Sequence, residues 1–436
     1  MVPSRLLIAL LLAATPLFAL GWYHPMLPMA GVGVMVAMLT AAVLDARISR
    51  ARDRVQVQRC LPQVLSLGTA NPVALVVSSH TGRPLRLVVK DDPPGGFLTS
   101  ERTQPLRLEP WQQARLSYWT APHRRGDYEF GDLHLRGLSR LGLSWWQRDL
   151  PARQSVRVYP NLQQIGEFDA LARRGRLQEL GLRMTRARGE GTEFESLREY
   201  VPDDSFRHVD WKATARRGEP ITRQYQVERN QTLIILIDAG RMMAAPAAGM
   251  TQVDYAINAA LMLAHVAQRM GDTVGLLVFS DRVKTFLAPA HGPAQTERML
   301  EELYGLQAER VEPDFRGAVT LLRSRARKRA LVCAFTDLVD TEISAQALSY
   351  LSSLRPQHLP LVATMVDAEV EALAQADPRH PREAYEKALA ARTLAERALV
   401  LARLRARGAL VCHARPEELS AAVVNQYLAI KRRGLL

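Results

Sequence analysis

The chain has 436 residues, of which 47% are hydrophobic, so two or three domains with real cores are expected and general disorder is excluded. The formal charge of +13 permits nucleic-acid binding, but the basic residues are scattered and alternate with acidic or apolar ones, so no nucleic-acid partner is predicted. Cys60, Cys333 and Cys412 are far apart, which argues against a disulfide framework or zinc site and favours reduced thiols in the cytosol.

Two apolar runs open the chain. Leu6–Leu20 is almost wholly apolar, and Met26–Leu44 has 19 residues without a charge, close to the ~20 that cross a bilayer. Trp22 and Tyr23 in the connecting turn suit the membrane interface. Residues 1–46 are therefore predicted to form a two-helix transmembrane hairpin.

The flanking charges predict how this hairpin is oriented. The arginines near its two ends are Arg5, Arg47, Arg50, Arg52 and Arg54, whereas the connecting turn has no Lys or Arg. The positive-inside rule then places both ends in the cytoplasm. A cleaved signal peptide is the alternative, but it leaves the second run unexplained.

Residues 47–160 contain short alternating apolar segments that are separated by turn residues such as Asn71-Pro72 and the run from 91 to 96. Pro84–Lys90 and Tyr128–Arg136 are predicted strands. This pattern is typical of a β-sandwich, a kind of domain that more often packs or binds than catalyses.

A densely charged segment, 189–216, also carries the aromatic residues Phe194, Tyr200, Phe206 and Trp211. It is predicted to be a loop followed by a helix, and Gly218 is predicted to end that helix. The expected N-cap is Asp203 or Ser205, and Phe206, Val209 and Ala213 are expected on one helical face. Ile221–Val227 then alternates like a strand.

Within this segment, Glu195-Ser-Leu-Arg-Glu-Tyr-Val-Pro and Arg207-His-Val-Asp-Trp-Lys-Ala-Thr-Ala-Arg216 resemble the signature of the bacterial family called domain of unknown function 58. The family usually has Gly after the proline, whereas this chain has Asp203, which tolerates the same left-handed turn. The resemblance implies a membrane-anchored protein with a von Willebrand factor type A fold. It also implies a MoxR-type AAA+ ATPase as partner, in chaperone-like assembly or maturation.

On this basis the signature segment, 161–230, is expected to clasp two domains together and to present ion-paired charge to the partner. The residues predicted to bind the partner are Glu195, Arg198, Tyr200, Asp204, Arg207, Asp210, Trp211, Lys212 and Arg216. The protein is accordingly predicted to be a scaffold in the bacterial inner (plasma) membrane, with two membrane passes and cytoplasmic soluble domains.

Residues 231–436 alternate apolar strands with helices, which predicts a doubly wound parallel sheet of the type A kind. The predicted strands are Leu233–Ile237, Val274–Phe279, Ala330–Phe335, Leu359–Val366 and Ala409–Cys412. Helices are predicted at Tyr255–Met270 and Glu417–Lys431. A long charged helix near Glu383–Arg407 is interpreted as an insertion.

Asp238 and Asp337 follow two of these strands, at the positions of a type A metal site. In such domains the first loop reads Asp-x-Ser-x-Ser and a second loop supplies a threonine, because Mg²⁺ prefers hard oxygen ligands. Here the first loop reads Asp238-Ala-Gly-Arg-Met242, and Glu312–Gly317 has no threonine. A satisfied polar cluster with Arg241, or a partner contact, is therefore favoured over bound Mg²⁺. A metal-dependent ligand-binding module remains the alternative function.

Catalysis has little support in the sequence. His208 with Asp204 or Asp210 offers acid and base groups, but no Gly-x-Ser-x-Gly nucleophile motif and no phosphate-binding loop occur. The protein is predicted to be non-enzymatic and to need no cofactor, with an uncharacterised hydrolase as the third reading.

Overall fold

The structure is a computed structural model that describes residues 2–20, 26–49, 54–174, 193–201, 206–226, 231–338 and 341–436. The chain forms two compact units, Met1–Tyr159 and Pro160–Leu436.

The first unit begins with the helices α1 (Arg5–Ala13), α2 (Pro16–Ala19) and α3 (Met26–Ile48). Ser4 caps α1, since its hydroxyl accepts a hydrogen bond of 3.1 Å from the Leu7 amide. Leu7 clusters with Ala42, while Phe18 lies against Gly31. The earlier residue, Leu7, therefore contacts the later part of α3, and the later residue, Phe18, contacts its earlier part, so α1 and α2 run antiparallel to α3.

Among the described residues, α3 is the helix long and apolar enough to cross a membrane, with 23 residues and a mean hydropathy of 2.1 over its most apolar 18 residues. Only 11% of its most apolar stretch is buried, so α3 is not a core helix of this unit. A membrane span and a signal sequence both satisfy this description. The segment Arg5–Ala19 is apolar but shorter.

The rest of the first unit is all β. Its strands are β1 (Val2–Pro3), β2 (Val55–Cys60), β3 (Val64–Ser66), β4 (Asn71–Ser79), β5 (Leu85–Lys90), β6 (Leu98–Thr99), β7 (Thr103–Leu108), β8 (Gln113–Ala121), β9 (Gly126–Phe130), β10 (Leu133–Leu138), β11 (Ser144–Leu150) and β12 (Gln154–Tyr159). In the described residues they form sheets with the orders β1-β11-β10-β5-β7, β2-β4-β8-β6 and β3-β12-β9.

Alternating residues of these strands form one core. Val73, Leu75 and Val77 of β4 pack with Leu85 and Leu87 of β5, as expected for strands with one buried face. The predicted strand Pro84–Lys90 is confirmed as β5.

The predicted strand Tyr128–Arg136 is wrong as a single element. It is divided at Gly131 into β9, which pairs with β12, and β10, which pairs with β5 and β11. Gly131 donates to the Asp92 carbonyl (2.8 Å), and its own carbonyl accepts from the buried Arg59 guanidinium (2.8 Å). These bonds hold the chain where it passes from one sheet to another.

The second unit mixes helices and strands. Its strands are β13 (Glu193–Glu199), β14 (Ile221–Gln226), β15 (Thr232–Asp238), β16 (Pro246–Ala247), β17 (Met250–Thr251), β18 (Thr273–Phe279), β19 (Val283–Ala290), β20 (Leu331–Phe335), β21 (Leu359–Met365) and β22 (Leu410–Ala414). Its helices are α4 (Leu162–Arg174), α5 (Trp211–Arg217), α6 (Gln252–Arg269), α7 (Pro293–Tyr304), α8 (Phe315–Arg325), α9 (Thr341–Ser353), α10 (Ala368–Gln375), α11 (Pro381–Ala406) and α12 (Leu419–Arg432).

The main sheet of this unit has the order β19-β18-β15-β20-β21-β22. β15 pairs in parallel with β18 and β20, β21 continues the parallel run to β22, and β19 pairs antiparallel at the edge. The five predicted strands are confirmed. The edge strand β19 was not predicted, because it lacks the continuous apolar run of the buried strands.

Both faces of this sheet are covered, which explains why its strands are continuously apolar. Leu233, Ile235 and Ile237 of β15 pack with residues of α6 and α12, whereas Ile234 and Leu236 pack on the other face with residues of α8, α9 and α11. The predicted helices at Tyr255–Met270 and Glu417–Lys431 correspond to α6 and α12.

The interpretation of the long charged helix as an insertion is wrong. The C-terminal half of α11 belongs to the core through Val400, Leu401 and Leu404, while Tyr385 and Leu389 in its first half are exposed. The many charged residues on the exposed face of α11 make the apolar stripe of its second half hard to recognise in the sequence.

Candidate functional site

After α4, the next described element of the signature segment is a pair of antiparallel strands, where the sequence predicts a loop. β13 pairs antiparallel with β14, from Glu193 opposite Gln226 to Glu199 opposite Ile221, with a register shift between Phe194 and Ser196. The predicted strand at Ile221 is confirmed over the described residues. The first strand was missed because its partner lies more than twenty residues further along the chain, and local charge gives no signal of that pairing.

The predicted helix is present but shorter, and a different residue caps it. Asp210 is the N-cap of α5, because its Oδ1 accepts from the amides of Lys212 and Ala213, each at 3.0 Å. Its Oδ2 accepts from Nε of Arg223 at 2.9 Å. The Ala213 amide and the Arg223 guanidinium hold the pKa of Asp210 below its ordinary value. Asp203 and Ser205, the predicted caps, lie outside the described residues.

Gly218 ends α5 as predicted, with a left-handed φ of 80°. The predicted apolar helical face is wrong. Phe206 lies in a 3₁₀ turn, Phe206–His208, and Val209 is buried in a β-bridge with Thr222. Only Ala213 of that trio is helical.

Three aromatic side chains of the segment form an exposed cluster. The ring centroids of Tyr200 and Phe206 are 5.6 Å apart, and those of Phe206 and Trp211 are 6.2 Å apart. Phe206 is 67% exposed and Trp211 is 64% exposed, which is unusual for side chains of this size. Tyr200, Phe206 and Trp211 are called the aromatic cluster below.

The predicted partner-binding residues are only partly brought together. Tyr200 and Trp211 belong to the aromatic cluster, and Lys212 and Arg216 are exposed on α5. Glu195 and Arg198 lie in β13, and Arg207 lies in the 3₁₀ turn. Asp204 lies outside the described residues.

The second predicted site lies where β15 and β20 end. Asp238 is buried, and its Oδ1 accepts from the Gly240 amide at 2.7 Å while its Oδ2 accepts from the Thr336 hydroxyl at 2.7 Å. Asp337 is also buried, and its Oδ2 accepts from the Gln252 amide group at 3.0 Å. These side chains, together with Arg397, are called the sheet-edge cluster.

Arg397 of α11 supplies the positive charge of the sheet-edge cluster. Its guanidinium donates to Oδ1 of Asp337, and the two side chains are 5% and 2% exposed. The prediction that Arg241 would fill this role is wrong, since Arg241 lies 3.8 Å from Glu312 in an exposed pair. The short loop from β15 turns Arg241 outward.

Burial changes the acidity of this cluster. Removal from water raises the pKa of Asp238 to about 6, and the neighbouring Asp337 carboxylate adds to the rise. The hydrogen bonds from Thr336 and Gly240 oppose it. Two carboxylates therefore share a dry site that holds one guanidinium.

The donor set does not fit a type A magnesium site. The positions of the two hydroxyl ligands are held by Gly240 and Met242, and a Cβ at Gly240 would lie 3.0 Å from both Oδ1 of Asp238 and Cδ of Pro313. Asp314 in the second loop caps α8 through a 2.9 Å bond from the Gly317 amide. In the described part of the chain, no group of three or more His, Cys, Asp or Glu is placed to hold a metal ion.

Sequence reasoning missed Gln252 and Arg397 as members of this cluster. A signal for Arg397 does exist, because Ala390, Arg397, Leu401 and Leu404 are buried along one stripe of α11. An arginine inside an apolar stripe needs a buried anionic partner.

Comparison with curated proteins finds distant relatives. The chain is 26% identical to "Uncharacterized protein Rv1480" of Mycobacterium tuberculosis over 193 residues. This aligned region covers 44% of this chain and 57% of the relative. It is 28% identical over 163 residues to "Uncharacterized protein YeaD" of Bacillus subtilis, covering 35% and 39%. The matches thus span about half or less of these relatives.

Solved structures are similar only at a low level. A conserved hypothetical protein, BatB of Bacteroides thetaiotaomicron, is 12% identical with a TM-score of 0.28, covering 47% of this chain and all of that one. A fragment of Escherichia coli alpha-2-macroglobulin is 20% identical with a TM-score of 0.22, covering 24% and 16%. Scores at this level do not define a shared fold.

The later part of the signature segment and much of the α/β region that follows it match a protein family. The match covers residues 196–391, just under half of the chain. That part of the chain is similar to the family described as "Protein of unknown function DUF58".

Proposed function

We propose that the protein is a non-enzymatic scaffold of the bacterial inner membrane whose signature segment binds another protein. The observation that carries the proposal is the aromatic cluster, which is exposed although Phe206 and Trp211 are large apolar side chains. Exposed apolar patches on folded proteins are characteristic of interaction sites.

The chemistry of the cluster suits a binding hot spot. Tyr and Trp dominate the energetics of protein interfaces, because they bury much area with few rotatable bonds. Ring contacts between Tyr200, Phe206 and Trp211 restrict these side chains before a partner arrives, which lowers the entropy lost on binding.

Charge around the cluster suggests the character of the partner. Lys212, Arg216 and Arg217 are exposed on the short helix that carries Trp211. Cations at the rim of an interface favour an acidic surface opposite and speed its encounter. In view of the family resemblance, the partner proposed is a MoxR-type AAA+ ATPase, and the role is chaperone-like assembly or maturation.

The remaining parts of the proposal concern architecture. The helices α1 to α3 form a two-pass anchor, with both soluble units in the cytoplasm. The unit that ends at Leu436 is of the von Willebrand factor type A kind, an assignment supported by its strand order. Its sheet-edge cluster is occupied by Arg397, so partner binding is assigned to the signature segment.

Partner binding is tested by capture of the purified ATPase on immobilised full-length protein. Phe206→Ala and Trp211→Ala are each expected to weaken capture about tenfold or more, as for truncated interface hot spots. Trp119→Ala is the matched control, since Trp119 is also exposed but lies on β8 of the first unit. Equal capture by all variants would contradict the proposal.

Anchoring is tested separately by alkaline carbonate extraction of membranes. The full-length chain is expected to stay in the membrane fraction with its N-terminus uncleaved. Recovery of a shortened, soluble chain would show instead that the apolar segment is a signal sequence.

A further inference from the structure

One end of the β-sandwich is fixed to the apolar helices by hydrogen bonds. The turn 139–143 joins β10 to β11, and its Leu143 carbonyl accepts from the Ser4 amide at 3.1 Å, just before α1. Its Arg140 amide donates to the Ser49 hydroxyl at 2.8 Å, and its Leu141 amide donates to Oδ1 of Asp45 at 3.0 Å. The start of α1 and the end of α3 therefore meet at this turn.

Two further loops lie at the same end. The His80 amide donates to the Arg54 carbonyl at 2.8 Å, so the loop after β4 lies beside the residue that leads from α3 into β2. The Trp111 amide donates to the Thr81 carbonyl at 3.2 Å, which brings the loop 109–112 alongside. We call the loops 80–84, 109–112 and 139–143 the collar.

The collar exposes two large apolar side chains. Trp111 is 69% exposed and Leu141 is 62% exposed. Trp111 also has a φ of 59°, a left-handed conformation that non-glycine residues rarely adopt. Such strain persists where a surrounding structure imposes it and often marks a functional position.

Basic residues lie at the helix ends and in the collar loops. The arginines at the helix ends and in the collar are Arg5, Arg47, Arg54, Arg83 and Arg140, of which all but the half-buried Arg83 are exposed. Glu109 is an acidic residue of the collar, and its Oε1 lies 3.2 Å from Nε of Arg107, so an ion pair balances its charge. A tryptophan and a leucine among cations have the composition of a surface at the headgroup level of an anionic bilayer.

We propose that the collar is a lipid-contacting surface, with Trp111 and Leu141 in the headgroup layer and the arginines on anionic headgroups. This rests on the proposed membrane anchoring, because the helices that fix the collar would place it at the bilayer surface. The sandwich would then stand upright on the membrane, and the backbone bonds to Ser4, Asp45 and Ser49 would hold its orientation.

The test measures depth in the membrane. Full-length protein carrying Cys60→Ser, which removes the exposed native thiol, is reconstituted into vesicles of phosphatidylglycerol and phosphatidylcholine. Leu141→Cys is labelled with an environment-sensitive fluorophore, and lipids with a nitroxide at the headgroup act as quenchers. The hydrogen bond from residue 141 to Asp45 is donated by the backbone amide, so the substitution of the side chain leaves it intact.

Leu98→Cys is the matched control. Leu98 is 56% exposed and pairs with Ala121, the last residue of β8, whereas the first residue of β8 lies next to the collar. Quenching at position 141 is expected to exceed that at position 98 by about twofold or more, as for an interfacial side chain. Arg83→Glu with Arg140→Glu is expected to reduce the excess in anionic vesicles.

The outcomes separate this proposal from anchoring. Equal quenching at 98 and 141 in a protein that resists carbonate extraction overturns the lipid contact and leaves the anchor standing. A label at 141 that is shielded from both lipid quenchers and aqueous iodide indicates a protein cover and also overturns it. Release of the intact chain by carbonate overturns the anchor and the collar together.

Discussion

The sheet-edge cluster and the aromatic cluster belong to the same unit, but the side chains of the first are buried and hydrogen-bonded whereas those of the second are largely exposed. At the sheet edge, Asp238 and Asp337 are buried and their oxygens accept from Gly240, Thr336, Gln252 and Arg397. In the signature segment, the rings of Phe206 and Trp211 lie beside each other and are mostly exposed to solvent.

The two sites differ in how much of their side-chain surface the folded protein leaves uncovered. Carboxylates at the ends of parallel strands are usual ligand groups, yet here protein donors take up the oxygens that a ligand would need. The aromatic side chains have unused apolar surface. Residue type suggested chemistry at the first site, while exposure suggests binding at the second.

The largest effect is expected from Arg397→Ala. This substitution leaves the Asp337 carboxylate buried without its cation, which for buried pairs destabilises by about 3–5 kcal/mol. Urea unfolding followed by circular dichroism measures the loss. Arg392→Ala is the control, because Arg392 lies on the same helix in an exposed pair with Glu396, and its midpoint should stay unchanged. If both variants unfold alike, Arg397 does not balance the cluster.

The second prediction concerns pH. The pKa of Asp238 is about 6 in the folded protein against 3.8 ordinarily, so the native state binds its proton more tightly than the unfolded chain. This contribution is fully present below about pH 4 and is lost as the pH rises through about 6. Its size is on the order of 3 kcal/mol.

Asp238→Asn tests that sign. The asparagine oxygen can still accept from Gly240, and its amide can donate to the Thr336 hydroxyl. The stability of the variant relative to the original protein is therefore expected to rise between about pH 4 and pH 7, as measured by thermal unfolding at each pH. A constant difference would mean that Asp238 does not titrate there.

A smaller effect on stability is expected from Trp211→Ala. Its side chain is mostly exposed, and the ring contact with Phe206 accounts for about 1 kcal/mol or less. Capture of the partner should fall much more than stability does. A loss of several kcal/mol in unfolding would show that the aromatic cluster is structural, which would remove the contrast with the sheet edge.

The smallest effect is expected from Asp210→Asn. Asparagine is as good an N-cap as aspartate, so α5 is kept while the partly exposed pair with Arg223 is lost. The unfolding midpoint should stay the same within error, and Asp210→Ala should lower it by removing the cap. A clear drop for the asparagine variant would give the ion pair more weight than its exposure suggests.

Local patterns predicted the parts of the fold that depend on burial alone. The apolar runs at Leu233 and Val274 became β15 and β18, because a strand covered on both faces must be apolar throughout. Gly218 ended α5 because glycine adopts the left-handed conformation without strain. In both cases the physical cause lies in neighbouring residues.

Local sequence patterns did not predict the features that depend on pairing between distant segments. β13 reads as charged loop until β14 is placed beside it, and Tyr128–Arg136 reads as one strand until its halves join different sheets. Arg397 lies 60 residues beyond Asp337. No local pattern in the sequence specifies which distant charges will share a buried site.

The sequence by itself determined an apolar N-terminal segment, a β-rich region, a charged aromatic signature and a run of buried strands, because each depends on the residue types within one short stretch. Only the tertiary structure decided that Arg397 pairs with Asp337, that the rings of Tyr200, Phe206 and Trp211 come together, and that three loops of the β-rich first unit gather at the start of α1 and the end of α3. These are contacts between distant segments, and their energies exist only once the chain is folded.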